Sequence, residues 1–121
     1  MALPNLKNPT TITGKTARYA VTTSLATALA APGTGKTFKI NSIFCSNNDT
    51  ANVGTAIDIS VSIYDGSTDR YIAYTISVPA DATQILSTKE TYFYLEEADS
   101  IRAVASIASR LELVIGYEEI S

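Results

Sequence analysis

The chain has 121 residues, an ordinary apolar content and a net charge of −3, which is enough to build one hydrophobic core and excludes a disordered polypeptide. It contains no His, no Trp and one Cys, so Ser-His-Asp and Cys-His catalysis, His-ligated metals, a Cys-cluster zinc site and an internal disulfide are all excluded within it. The charge is uneven: residues 1–48 carry five basic side chains and no acidic one, whereas residues 49–121 carry four basic and twelve acidic ones.

Residues 1–15 contain Pro4, Pro9 and Gly14 without sustained periodicity and read as an extended arm. Residues 16–121 read as one β-sandwich domain. Ala17–Thr27 forms a weak strand, and the alanines of Ser24–Ala31 leave a short helix as the competing reading there. The stretch Tyr19–Ala31 is too rich in hydroxyls, and starts too late, for an export signal. No run of apolar residues is long enough for a membrane-spanning helix.

From there the dominant period is two. In Thr37–Ser46, Phe38, Ile40 and Phe44 fall on one face, and Lys39, Asn41, Ile43 and Cys45 on the other. Ala56–Asp65 alternates most cleanly, with Ile57, Ile59, Val61 and Ile63 opposed to Asp58, Ser60, Ser62 and Tyr64. Arg70–Val78 places Ile72, Tyr74, Ile76 and Val78 against Tyr71, Ala73, Thr75 and Ser77. Weaker strands follow at Gln84–Thr88, Thr91–Leu95 and Ser100–Ile107. Arg110–Ile120 closes the chain with Leu111, Leu113, Ile115 and Tyr117 on one face. Short strands separated by Pro-Gly, Asp-Gly and acidic turns predict an all-β, antiparallel β-sandwich or jelly-roll-like fold of about eight strands.

Four motifs and one lone cysteine have a chemical reading. Ala31-Pro32-Gly33-Thr34-Gly35-Lys36-Thr37 resembles a phosphate-binding loop, but Ala30 stands where its first Gly belongs. A strand rather than a helix follows it, which predicts a turn. Glu96-Glu97-Ala98-Asp99 lacks calcium-loop spacing and reads as a solvated turn. Glu118 and Glu119 are adjacent on a strand and point apart, so they form no glycosidase acid pair. The strand tyrosines Tyr64, Tyr71, Tyr74, Tyr92, Tyr94 and Tyr117 fit protein contacts or core filling, with sugar or base stacking as the alternative. Cys45 reads as a half-buried strand residue with nothing beside it to activate the thiol.

Residues 36–121 also resemble a recurrent β-rich module of tailed-bacteriophage virion proteins. The matching pieces are the Pro-Gly turn into Lys36–Ile43, the Ile59–Asp65 strand closed by Gly66, Tyr71–Val78 with Pro79, Tyr94–Arg102, and the closing Tyr117-Glu118-Glu119-Ile120. Such proteins often carry Gly where this chain has Ala98. The resemblance implies a structural component of a virion, made in the host cytoplasm, and not an enzyme. The first expectation is a capsid decoration, or cement, protein bound to major capsid subunits. A neck, tail or baseplate protein and a carbohydrate-binding module for host attachment are the alternatives. The partners expected are other virion proteins and further copies in a homo-oligomer such as a trimer, without nucleic acid, membrane, metal or cofactor. The residues expected to meet those partners are Leu3, Leu6, Lys7, Lys15 and Arg18.

Overall fold

A computed structural model describes residues 4–5, 7–49 and 53–121. Nine strands occupy most of the described chain: β1 Ile12–Ala20, β2 Ala26–Leu29, β3 Thr37–Asn47, β4 Ile57–Tyr64, β5 Asp69–Val78, β6 Thr83–Ser87, β7 Phe93–Leu95, β8 Ser100–Ala105 and β9 Leu111–Ile120. A single 3₁₀ turn, Lys89–Thr91, separates β6 from β7. One sheet has the order β1-β9-β3-β6, with β7 also paired to β3, and the other has the order β2-β8-β4-β5. Every pair is antiparallel.

The pairing is nested. β4 pairs with β5, β3 with β6 and β7, β2 with β8, and β1 with β9. That is one long antiparallel hairpin whose arms roll up until β9 meets β3 and β8 meets β4. β6 and β7 share one edge of β3, so nine strands fill the eight positions of a jelly roll. The tip is the β4–β5 turn, where Gly66 takes a positive φ of 96° and the Asp65 carboxylate accepts the Ser67 and Thr68 N–H groups at 2.9 and 2.7 Å. Those two backbone bonds hold the Asp65 carboxyl below its ordinary value.

The core lies between the sheets and is almost wholly aliphatic. Ile40, Ile43, Ile57, Ile59, Ile101, Leu113 and Ile115 have no exposed surface. Burying each such side chain is worth ~1.5–3 kcal/mol. The chain crosses between sheets at Val21–Thr22. There the Val21 N–H donates to the Leu111 carbonyl, and the Thr22 carbonyl accepts from Ala105 of the other sheet, both at 2.9 Å. This corner divides the strand expected over Ala17–Thr27 into the ends of β1 and β2. Within Ser24–Ala31, Ala26–Leu29 is a strand and no helix forms, with Ala26 opposite Ala103 and Leu29 opposite Ile101. Residues Ile12–Lys15, assigned to the arm from sequence, hydrogen-bond to β9 in unbroken register.

Three strands depart from regular pairing: β2 shifts register between Thr27 and Leu29, and β3 and β5 change face through bulges. In β3, Ile40 faces Tyr117 and Ile43 faces Ile115, so three steps on β3 match two on β9. The extra residue reverses the phase: Phe38, Ile40, Ile43 and Cys45 are all buried and Phe44 points out. In β5, register shifts opposite Ile59–Val61 and Val61–Ser62 accommodate two extra residues. Ala73 and Val78 are buried, whereas Ile72, Tyr74 and Ile76 are exposed. The faces expected for Thr37–Ser46 and Arg70–Val78 are corrected accordingly.

Candidate interaction surfaces

Of the five residues expected to meet a partner, Leu3 and Leu6 lie outside the described residues. Lys7 is exposed, and its N–H donates to Asn5 Oδ1 at 3.0 Å. Lys15 is engaged within the chain. Its Nζ lies 3.3 Å from Glu119 Oε2, and Lys36 reaches Glu119 Oε1 at 3.5 Å. Burial alone would raise the Glu119 pKa; the hydrogen bond and charge of Lys15, with Lys36 behind them, hold it below its ordinary value. Arg18 forms no ion pair among the described residues and lies opposite Val114 on the outer face of the β1-β9-β3-β6 sheet.

That position makes Arg18 the end of a cross-strand row. Val114 is opposite Phe44, and Phe44 is opposite Ile85. Phe44 and Val114 are each 37% exposed and Ile85 is 53% exposed. Three large apolar side chains therefore align across β9, β3 and β6 on a face where neighbouring positions such as Glu112, Ser46 and Thr83 are polar. Sequence reasoning missed this row, because the β3 bulge decides that Phe44 points away from the core.

The opposite face of the sandwich carries a groove of about 290 Å³. Asp58 and Ser60 of β4 lie in it, with Val104 and Ala105 of β8 and Ser106 just beyond. Tyr71, Tyr74 and Thr75 of β5 complete the lining. In a regular strand Tyr71 and Tyr74, three residues apart, would lie on opposite faces. The β5 bulges bring them to one face, where the rings meet edge to face with centroids 4.9 Å apart. Tyr71 is 44% and Tyr74 65% exposed. Thr75 takes a φ of +49°, and its N–H is captured by Ser60 Oγ at 2.9 Å. Ser106 Oγ accepts the Asp58 N–H at 3.0 Å. The Asp58 carboxylate forms no ion pair among the described residues, and no basic side chain lines the groove. On the same sheet, Arg102 donates to Asp69 Oδ2 at 3.1 Å and stacks over the Tyr64 ring at 4.1 Å.

The remaining motifs resolve into structure. The Gly35 N–H donates to Glu97 Oε1 at 2.8 Å, Lys36 turns to Glu119, and β3 follows directly, so the phosphate-loop-like segment is a turn whose groups are engaged. The Glu96–Asp99 turn closes with Asp99 N–H on the Glu96 carbonyl at 2.9 Å, and Ala98 is not among the positive-φ residues. Glu118 meets Asn41 Nδ2 at 3.4 Å while Glu119 meets the two lysines, so the pair diverges. Cys45 is fully buried, and burial pushes its thiol pKa up to about 11. No helix among the described residues is long and apolar enough to cross a membrane.

No protein-family model matches the chain, and no curated protein matches it. Solved structures do. A protein of the Bacillus endospore appendages, described as a family of disulfide-linked pili, superimposes with a TM-score of 0.54 at 11% identity, over 92% of this chain and 87% of that one. A protein of the T13 IBDV viral particle superimposes with a TM-score of 0.53 at 9% identity, over 93% of this chain and 31% of that one. A pentameric capsid protein from metagenomic phage sequences gives a TM-score of 0.42 at 18% identity, over 85% of this chain and 60% of that one. What the first two share with this chain is the fold. Disulfide linkage has no counterpart in the folded chain, because its single thiol is sealed in the core.

Proposed function

We propose that this chain is a structural component of a tailed-phage virion, a capsid decoration protein that binds major capsid subunits through the outer face of its β1-β9-β3-β6 sheet. The observation that carries the reading is the apolar row Val114-Phe44-Ile85, exposed in register across three strands and ended by Arg18, which forms no ion pair among the described residues. Apolar anchors within a polar surround are the pattern of a protein interface. A jelly roll suits the role because its rigid sheets present a broad face that needs no rearrangement on binding. The sequence resemblance to phage virion modules and the fold shared with a viral-particle protein support the same reading.

Quantitative mass spectrometry of purified particles tests it. Copies on the order of hundreds per particle are expected for decoration of a whole capsid lattice. About a dozen copies would move the chain to the neck, tail or baseplate, and its absence from particles would overturn the reading. Replacing Phe44 and Ile85 with Ser in the recombinant chain is expected to abolish attachment to undecorated particles. Full attachment by that variant would remove the assigned face.

A further inference from the structure

Thr75 stands out among the described residues with positive φ. The others that are not Gly are Asp49, Asp81 and Ser109, short polar residues at turns. Thr75 is β-branched, lies within a strand and has φ +49°, a conformation that side chains of this shape rarely adopt. It is exposed, so the strain is not repaid by packing of its side chain. The register shift between Tyr71 and Ala73 puts Tyr71 and Tyr74 on one face beside the groove rather than on two, and the Thr75 backbone turns directly after Tyr74.

The groove has a definite chemistry. One wall is an edge-to-face pair of exposed aromatic rings whose planes meet at 73°. The floor carries the hydroxyls of Ser60 and Ser106, whose oxygens already accept backbone N–H groups and whose protons are left to donate. Thr75 and the two tyrosines add further hydroxyls, and Asp58 supplies a carboxylate that forms no ion pair among the described residues. This set matches a ligand with one apolar face and a rim of hydroxyls. The apolar face stacks on a tyrosine, vicinal hydroxyls donate to the carboxylate, and the ring oxygens accept from Ser and Thr. The absence of Lys and Arg from the lining argues against an anionic ligand. A volume of about 290 Å³ is at the small end for a ligand pocket, suited to one or two rings.

From this we infer that the groove binds a neutral pyranose sugar, with Tyr74 as the stacking platform and Asp58 as the hydroxyl acceptor. The inference stands on the groove alone and is independent of the virion reading. In the sandwich the groove lies on the face opposite the Phe44 row, so both faces are usable at once.

The test is a glycan array probed with the full chain, followed by saturation-transfer NMR and titration with the best neutral hit. Binding to neutral hexose or N-acetylhexosamine glycans is expected. Tyr74→Ala and Asp58→Asn are each expected to weaken it by about tenfold or more, whereas Tyr74→Phe, which keeps the ring, retains it. Circular dichroism and thermal melts check that each variant folds. An array without neutral hits would overturn the proposal, as would equal binding by Tyr74→Ala. So would a groove that takes up a lysine-rich peptide in an Asp58-dependent way and ignores sugars, because that ligand would be a protein.

Discussion

Asn47 is the polar residue on which most local order converges. Its Nδ2 donates to the Thr55 and Val78 carbonyls at 3.0 Å each, and its Oδ1 accepts the Asp49 N–H at 3.2 Å. Asp49, held at φ 44°, in turn accepts the Val53 and Gly54 N–H groups, so one buried amide organises the β3–β4 connection. Asn47→Ala removes the donor to the buried Val78 carbonyl and to the part-buried Thr55 carbonyl and is expected to destabilise the fold by ~2 kcal/mol in urea titration. A change below the error of the titration would show that solvent satisfies those carbonyls. Cys45 is the complementary case. Its thiol is buried and weakly acidic, so a thiol reagent at mildly alkaline pH is expected to label it only when the chain unfolds. Labelling that keeps pace with a free thiol would mean that β3 opens readily. Neither role is legible in the sequence, where Asn47 is one of several polar residues in a loop-like run and Cys45 falls on the face opposite Phe38.

Individual elements are shaped by what faces them. β1 is an edge strand, held by β9 on one side and fastened by the Lys15–Glu119–Lys36 cluster. Glu119 has a lowered pKa in the folded chain, so the stability it contributes is present above its ordinary value of 4.5 and is lost as pH falls through the lower folded value. Glu119→Gln is therefore expected to be less stable than the native chain near neutral pH. The gap should close in denaturant titrations repeated at falling acid pH, and a gap independent of pH would exclude the ion cluster as its source. β5 is the strained edge. Thr75→Gly relieves the positive φ and, against the greater freedom of Gly in the unfolded chain, is expected to stabilise by about 1 kcal/mol in thermal melts. A loss of stability would mean that the Thr75 side chain holds the bulge in place. The period of two announced both strands, but neither the β3 nor the β5 bulge is announced by it. Their positions depend on a partner strand remote in sequence.

At the scale of the whole molecule, nested pairing makes contacts between the two ends of the chain essential. The Thr10 and Thr11 N–H groups both donate to the Ser121 carbonyl, and the Ser121 N–H returns to Thr11 at 3.0 Å. The β-domain therefore begins at Thr10, and a test of the proposed N-terminal arm must stop short of it. Deleting residues 1–9 is expected to leave the melting temperature nearly unchanged and to weaken attachment to particles. Attachment at full strength would remove the arm from the interface. A cyclic homo-oligomer such as a trimer is expected as well, since both sheets have open edges that a neighbouring copy can cover. Light scattering that finds only monomers at every concentration would exclude it.

By itself the sequence determined that this chain is β-rich, roughly where its strands run, and that catalysis by His and zinc sites built from several Cys are closed to it. Those properties follow from residue type and from a side-chain alternation that each strand carries locally. Only the tertiary structure decided which face of β3 and β5 is buried, that Lys15 is spent on Glu119, and that Phe44 and Tyr74 stand on opposite outer surfaces. The reason is physical: an extra residue in one strand exists only relative to the strand beside it, and it turns every side chain beyond it to the other face.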